Sequence, residues 1–295
     1  MGTPGIARCF HEPGGCLHQS RNQRRSLRRE LRTPLERRAM QNVLAIWQRE
    51  MKAYFVSPIA YVVLTLWLLL SGLFFYAILT NVIQSTMMQS QFGPGSQPVD
   101  VPGIVTRGFF GTMSVVLLFM IPMLTMGLFA EEKKRGTMEL LLTTPVGHLH
   151  AMMGKFLAST TFLLIMLAGT WVTISALFKY GQPDWKPILG AYLGLLLYGE
   201  GLLAAGLFIS TLTENQIVSG VITFGVSLVL WLIDSFSSGA SGAAKDVLSY
   251  LSVIGHLDDF IKGVIDTTHV IFYLSFAFVG LFLTYRSLES MRWRS

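Results

Sequence analysis

Residues 129–146 read "FAEEKKRGTMELLLTTPV" and stand between two long apolar runs. Five consecutive charged residues, Glu131 to Arg135, precede Gly136, Thr137, a leucine cluster and Pro145. Of the 295 residues in the chain, 52% are hydrophobic and 14% are charged. A soluble domain carries about 25% charged residues, and one this poor in charge would leave large apolar patches in water. The composition therefore indicates an integral membrane protein, with the charged stretch at one membrane face.

Six segments are long and apolar enough to cross a bilayer: Ile59–Asn81, Thr106–Ala130, His150–Phe178, Pro187–Thr211, Gln216–Asp234 and Thr268–Leu288. About 20 residues at 1.5 Å each cross a 30 Å hydrocarbon layer. The expected fold is an all-α polytopic membrane protein with six transmembrane helices. Ahead of the first span, in residues 40–58, Val43, Ile46, Trp47 and Met51 recur on one helical face. Gln48, Arg49, Glu50 and Lys52 fall mostly on the other face. A basic amphipathic helix carrying a tryptophan suits the membrane interface. Val82–Val105, with its glycines and prolines, reads as an irregular loop. Between the fifth and sixth spans, Val247, Leu248, Leu251 and Ile254 make one helical face, and Leu257, Phe260, Ile261 and Val264 make another. Two short amphipathic helices separated at Gly255 are expected there, with Asp266, Thr267 and Thr268 supplying caps for the last span.

Residues 1–39 carry nine arginines and no lysine. They have no apolar core of the kind a secretory signal needs. They read as a disordered basic leader, with Met40 as an alternative natural start, and residues 59–295 as the transmembrane domain. Cys9-Phe-His11 and Cys16-Leu-His18 offer ligands that suit zinc, but chance spacing in a basic leader explains them as well, and no metal site is expected.

Lysine and arginine set the orientation. With the N-terminus inside, 18 of the 23 basic residues lie on the cytoplasmic side. Both termini and the 129–146 stretch are thus expected in the cytoplasm, and the 235–267 segment outside.

The phosphate-binding pattern G-x-x-x-x-G-K-[ST] is absent; Gly154-Lys155-Phe156 lacks both the first glycine and the hydroxyl. The chain is therefore not expected to hydrolyse ATP, and its energy must come from a partner. H-E-x-x-H and G-x-S-x-G are absent too, and His148 with His150 reads as a solvated interfacial pair. Glu200 is the one carboxylate deep inside a span ("LLLYGEGLLAAG"). Ionisable groups in lipid are costly and default to a functional hypothesis; the alternative is a protonated carboxyl hydrogen-bonded to a neighbouring helix. In the same span Gly190, Gly194, Gly201 and Ala205 fall within about 60° on a helical wheel, a stripe for close helix packing. Glu200 lies about 110° from the centre of that stripe, where it could border a translocation path.

In the opening stretch, Gly136 permits a sharp turn, and Thr137 can accept from a backbone N–H and start a helix. Glu139 in the first turn suits the positive end of the dipole. Pro145 disfavours helix at Thr144. The result is a short helix with Met138, Leu141 and Leu142 on one face. Glu131, Glu132 and Arg135 are expected as charged contacts on a partner's rim, where they set register.

Four segments carry a resemblance to a family: "WQREMKAYFVSPIAYV", the opening stretch, "GLFISTLTENQIVSG", and "FIKGVIDTTHVIFYLSFAFVGLFLTYRSLESMRW" at the end. Together they resemble permease subunits of ABC-2 type ABC transporters, and the last segment resembles the gliding-motility-associated branch. The resemblance covers about Met40 to Arg294. It implies six spans, a coupling helix between the second and third, and two permease subunits, identical or different. These would work with two separate ATPase subunits that hold ATP–Mg and drive export across a bacterial inner membrane. It implies no cofactor in this chain and no nucleic-acid partner. Two other classes stay open: a secondary transporter using Glu200 as a proton relay, and a non-transporting membrane anchor of a larger machine.

Overall fold

The structure, a computed structural model, describes residues 40–90, 100–137, 147–239 and 242–292. These residues form helices and turns with no strand, and six of the helices are long and apolar enough to cross a membrane. The protein is an all-α polytopic membrane protein. Residues 1–39 lie outside the described residues, and so do Met138, Glu139, Leu141, Leu142 and Pro145 of the opening stretch.

A first helix, α1, covers residues 40–56. It turns Val43, Ile46, Trp47 and Met51 inward, as their spacing predicts, but Glu50 and Tyr54 turn inward with them. Glu50 is therefore not on the solvent face, because a cation on another helix receives it. The remaining helices are α2 (Pro58–Ser90), α3 (Val101–Thr125), α4 (Ala130–Lys134), α5 (His148–Tyr180), α6 (Trp185–Leu212), α7 (Gln216–Gly239), α8 (Ala243–Leu251), α9 (Val253–Ile261) and α10 (Thr267–Arg292).

Three boundaries differ from the sequence reading, each for a local reason. Residues 82–90 continue α2 instead of forming a loop. Their hydroxyls bond back into the helix, Ser85 Oγ and Thr86 Oγ1 both donating to the Val82 carbonyl at 2.9 and 2.7 Å, so polarity did not require a break. α3 then starts at Val101, where Asp100 accepts from the Gly103 N–H at 3.1 Å. The second span is interrupted after Thr125. Pro122 lies within its last turn and has no N–H to donate to the carbonyl one turn earlier; residues 126–129 form turns before α4 begins. Between the fifth and sixth spans the break falls at Ser252 and not at Gly255. Ser252 Oγ accepts from the Gly255 N–H at 2.9 Å and donates to Asp234 Oδ1 at 2.8 Å, which caps α9 and ties it to α7. Asp266 Oδ1 accepts from the Thr268 N–H at 2.9 Å and starts α10.

The second and fourth spans form the centre of the bundle and are its most buried helices. Phe109, Phe110 and Leu117 of α3 pack in one core with Leu195, Tyr198 and Leu202 of α6, Trp67 of α2 and Phe162 of α5. The Trp67 indole, fully buried, donates to the Met166 carbonyl at 2.8 Å. α2, α7 and α10 face mostly outward and expose Leu69, Ile217 and Phe278. In lipid such side chains need no protein cover, because the surrounding chains are equally apolar.

The glycines of α6 lie against two neighbouring helices. A Cβ at Gly194 would stand 2.6 Å from the Phe260 Cβ, and one at Gly190 would stand 3.1 Å from the Phe260 carbonyl oxygen, so α9 packs directly on the α6 backbone. A Cβ at Gly201 would stand 2.5 Å from the Phe276 ring of α10. Ala205 is half-buried. These contacts seat α6 between α9 and the last span.

Candidate functional site

The charged stretch after the second span is held at the end of the bundle by three separate attachments. The first is its start. Phe129 precedes α4 without a side-chain cap of its own. Ser210 near the end of α6 supplies one, its Oγ accepting from the Phe129 and Ala130 N–H groups at 3.0 and 3.1 Å. These are donors that a helix start otherwise leaves unpaired. The second attachment is reciprocal. Lys133 Nζ donates to the Thr211 carbonyl at 2.6 Å, so a cation sits at the negative end of the α6 dipole. Thr211 in turn donates to Ser287 Oγ at 2.8 Å and links this junction to α10.

The third attachment is a cluster of four charges. Lys155, on α5, is 2% exposed and lies 3.1 Å from Glu50 Oε1 and 3.0 Å from Glu132 Oε1. Arg49 reaches the same two carboxylates at 2.8 and 3.0 Å. Lys155 Nζ also stands 5.3 Å from the centre of the Phe129 ring, a cation–π distance. Two cations and two anions thus join α1, α4 and α5 at one point. Burial raises the Glu50 carboxyl, but the charges and hydrogen bonds of Lys155 and Arg49 outweigh it and hold the group below the ordinary glutamate range. Near the cluster, Trp47 Nε1 donates to Thr161 Oγ1 at 3.0 Å, and a Cβ at Gly154 would stand 2.7 Å from Ile46. α1 is therefore docked on α5 along its length.

Glu132 points into the bundle, where Arg49 and Lys155 take it up. Glu131 and Arg135 pair with each other at the surface, at 2.5 Å. α4 ends in a turn that glycine makes possible. Gly136 has φ +67°, a left-handed conformation that side chains disfavour. Its N–H donates to the Lys133 carbonyl at 3.0 Å and the Thr137 N–H to the Glu132 carbonyl at 3.1 Å, the paired bonds of a Schellman cap. The Thr137 hydroxyl donates backward to the Glu132 carbonyl at 3.2 Å.

Lys155, Arg49, Glu50 and Ser210 are the residues the sequence reading passed over. Lys155 carried a legible signal, since a lysine one turn or more inside an apolar span needs an acidic partner. Ser210 carried none, because its role depends on a contact 80 residues away in sequence.

Glu200 lies midway along α6, where Thr160 Oγ1 of α5 donates to its Oε2 at 3.0 Å. The carboxyl is half-buried. Among the described residues no cluster of three or more His, Cys, Asp or Glu side chains is arranged to hold a metal ion.

Six spans, a helix docked on the third of them and a short charged helix bolted to the bundle end define a multi-pass membrane protein. The chain belongs to the ABC-2 transporter family: residues 35–276 match the model described as ABC-2 family transporter protein. Among curated proteins it is 29% identical over 117 residues to a probable multidrug ABC transporter permease, YbhS, of Escherichia coli strain K12. The same identity and length hold for the protein of that name in Escherichia coli O157:H7. The aligned stretch takes in 39% of this chain and 30% of that relative.

Proposed function

We propose that this chain is the membrane-spanning permease subunit of an ATP-driven exporter, with its charged end in the cytoplasm of a bacterium and its spans in the inner membrane. A separate ABC ATPase holds ATP–Mg and supplies the energy, and a second permease subunit, identical or different, completes the path. The observation that carries the reading is the attachment of α4. Through Ser210 and Lys133 it is fixed to the fourth span, and through Glu132 to α1 and the third. A displacement applied to residues 131–137 is therefore delivered to two spans at once. Glu200 and Thr160 face one another across the same two spans, in position to respond. The positive-inside distribution of lysine and arginine supports the orientation. Within the family, residues 260–293 support the gliding-motility-associated branch by resemblance. The 117-residue match favours a multidrug role as the second reading.

The test is reconstitution of the chain with a candidate ABC ATPase from the same organism. The pair is expected to co-purify, and the permease to raise ATP turnover in proteoliposomes. Replacing Leu141 and Leu142 with aspartate is expected to leave insertion intact and abolish both effects. Unchanged co-purification and turnover in that variant would overturn the assignment of residues 137–145 as the coupling helix.

A further inference from the structure

At the end of the bundle opposite the charged cluster, a chain of hydrogen bonds joins α8, α9 and α10. His256 of α9 and His269 of α10 meet Nδ1 to Nδ1 at 2.6 Å. His256 Nε2 lies 3.0 Å from the Tyr250 carbonyl oxygen, and His269 Nε2 lies 2.9 Å from Asp259 Oδ2. His256 is 7% exposed, and its ring lies 4.0 Å from that of Phe272, centre to centre.

The hydrogens on the rings follow from what each partner can do. A carbonyl oxygen only accepts, so His256 Nε2 carries a hydrogen. An ionised carboxylate only accepts, so His269 Nε2 carries one as well. Two ring nitrogens at hydrogen-bond distance must share one hydrogen between them. Three hydrogens on four ring nitrogens give the pair a single positive charge, placed beside the Asp259 carboxylate. One more proton would set two N–H groups head to head and leave two positive rings in contact.

We propose that the His256–His269 pair is a pH-operated latch: with one shared proton it holds α9 to the last span, and on taking up a second it lets go. The latch goes beyond the transport reading and does not depend on it. The surrounding groups do not offset the second charge. On α9, Asp258 is paired with Lys262, and Lys262 also lies 3.8 Å from Asp259. Asp266, ahead of α10, is held low chiefly by the Thr268 N–H and further by the His269 charge, so it favours the charge already on His269 and not a second one on His256. On α7, Asp234 is occupied by Ser252. Tyr273 of α10 donates to the Val253 carbonyl, and the Tyr250 ring stands edge-on to His256. Among the described residues, Asp259 is the one acid in hydrogen-bond contact with either ring.

The direction of the switch follows from burial, which holds His256 below the ordinary histidine value of 6.5 against the raising effects of the Tyr250 carbonyl and Asp259; the His269 charge lowers it further. The second proton, disfavoured in the packed state, withdraws support as pH falls below 6.5, whereas the shared proton, which the packed pair holds and the freed rings lose, withdraws it as pH rises above 6.5, so packing is firmest near 6.5. The consequence reaches the centre of the protein. α9 rests on the bare backbone of α6 at Gly190 and Gly194, so its release loosens the span that carries Glu200 and, at its far end, Ser210.

The experiment is hydrogen exchange of residues 253–261 in the full chain in lipid nanodiscs, at about pH 6.5 and 5.0, corrected for intrinsic exchange. Ordinary carboxylates titrate near pH 4, below that window. In the wild type, opening of α9 is expected to rise about eightfold at the lower pH. His256→Gln and His269→Gln are each expected to keep the protection seen at the higher pH and lose the response, because an amide can turn either its oxygen or its NH₂ toward the remaining ring. Equal protection of the wild type at both pH values overturns the latch, as does a full response in both variants. Should a variant fail to hold α9 at the higher pH, nitrogen NMR of the wild-type histidines decides. Coupled two-step titration of the two rings supports the latch, and independent single steps overturn it.

Discussion

Lys155 Nζ lies 3.0 Å from Glu132 Oε1, and the lysine side chain is 2% exposed. This contact fastens the charged stretch after the second span to the third span, and Glu50 on the same lysine brings in α1. A buried cation with its partners is close to neutral for stability, whereas one partner left alone in a buried site costs about 3–5 kcal/mol. Lys155→Met keeps the apolar stem but leaves Glu50 and Glu132 facing each other with only Arg49 between them. Its thermal unfolding in detergent is expected well below wild type. The triple variant Lys155→Met, Glu50→Gln, Glu132→Gln is expected to recover most of the loss. A triple variant no more stable than the single one would show that the charges are not the source of the effect.

Ser210 gives a second prediction, because it is the only side chain among the described residues that bonds the two N–H groups at the start of α4. Loss of a helix cap costs about 0.5–2 kcal/mol. Ser210→Ala is expected to raise hydrogen exchange in residues 126–134 while leaving the core of α6 protected. Ser210→Thr, which keeps the oxygen, is expected to behave like wild type if its methyl is accommodated. Exchange unchanged in the alanine variant would mean that α4 is held by Lys133 and Glu132 alone.

The fold was legible in the sequence to the extent that the bilayer dictates it. Length and hydropathy located all six spans, since a membrane-crossing segment must satisfy its own backbone and present apolar side chains. The period of Val43, Ile46, Trp47 and Met51 found the inward face of α1 for the same reason. Glu50 was misplaced because a carboxylate reads as a solvent residue until its cation is known, and that cation is 105 residues away. Breaks were less legible than spans. Gly255 carries the stronger sequence signal, yet Ser252 makes the break because Asp234 on another helix is there to accept its hydroxyl. The charged stretch stood out at once, but its division into an inward Glu132 and an outward Glu131–Arg135 pair depends on Arg49 and Lys155 and could not be read locally.

A third prediction concerns acid. Glu50 has a depressed carboxyl, so its contribution to packing is present above the ordinary glutamate value of 4.5 and is lost as pH falls through the lower value it has in the folded protein. α1 is therefore expected to detach from α5 below pH 4.5, read as solvent access to Trp47 in a variant with that tryptophan alone. Glu50→Gln is expected to flatten this response and weaken docking at neutral pH. A response of unchanged midpoint in Glu50→Gln would assign it to another group.

Glu200 gives a fourth. Its hydrogen bond from Thr160 joins the third and fourth spans within the membrane. Glu200→Gln keeps an acceptor oxygen and the side-chain volume and removes the ability to ionise. If the carboxyl serves transport, expression and unfolding temperature stay at wild-type values while flux into vesicles falls. If it serves only packing, flux stays, and Glu200→Leu, which loses the hydrogen bond, lowers the unfolding temperature. The two variants together separate these roles.

The last prediction uses the split within the charged stretch. Glu131 and Arg135 pair at the surface, and exposed pairs of this kind contribute about 0–1 kcal/mol. Exchanging them, Glu131→Arg with Arg135→Glu, should therefore leave folding untouched while inverting the charge pattern that a partner meets. Rim charges set association rate and register more than they set stability, so the exchange is expected to slow ATPase association and make it less sensitive to salt. Glu132→Lys is expected to act differently, because it places a third cation beside Arg49 and Lys155 and expels one of them from a buried site. Its effect should appear first as lower yield and a lower unfolding temperature, before any partner is added. Measuring stability and ATPase association for both variants gives a crossed pattern: one stable and poorly coupled, the other unstable. If Glu132→Lys proves as stable as wild type and only coupling suffers, then Glu132 faces the partner after all, and its inward pairing with Lys155 is not the state that docks.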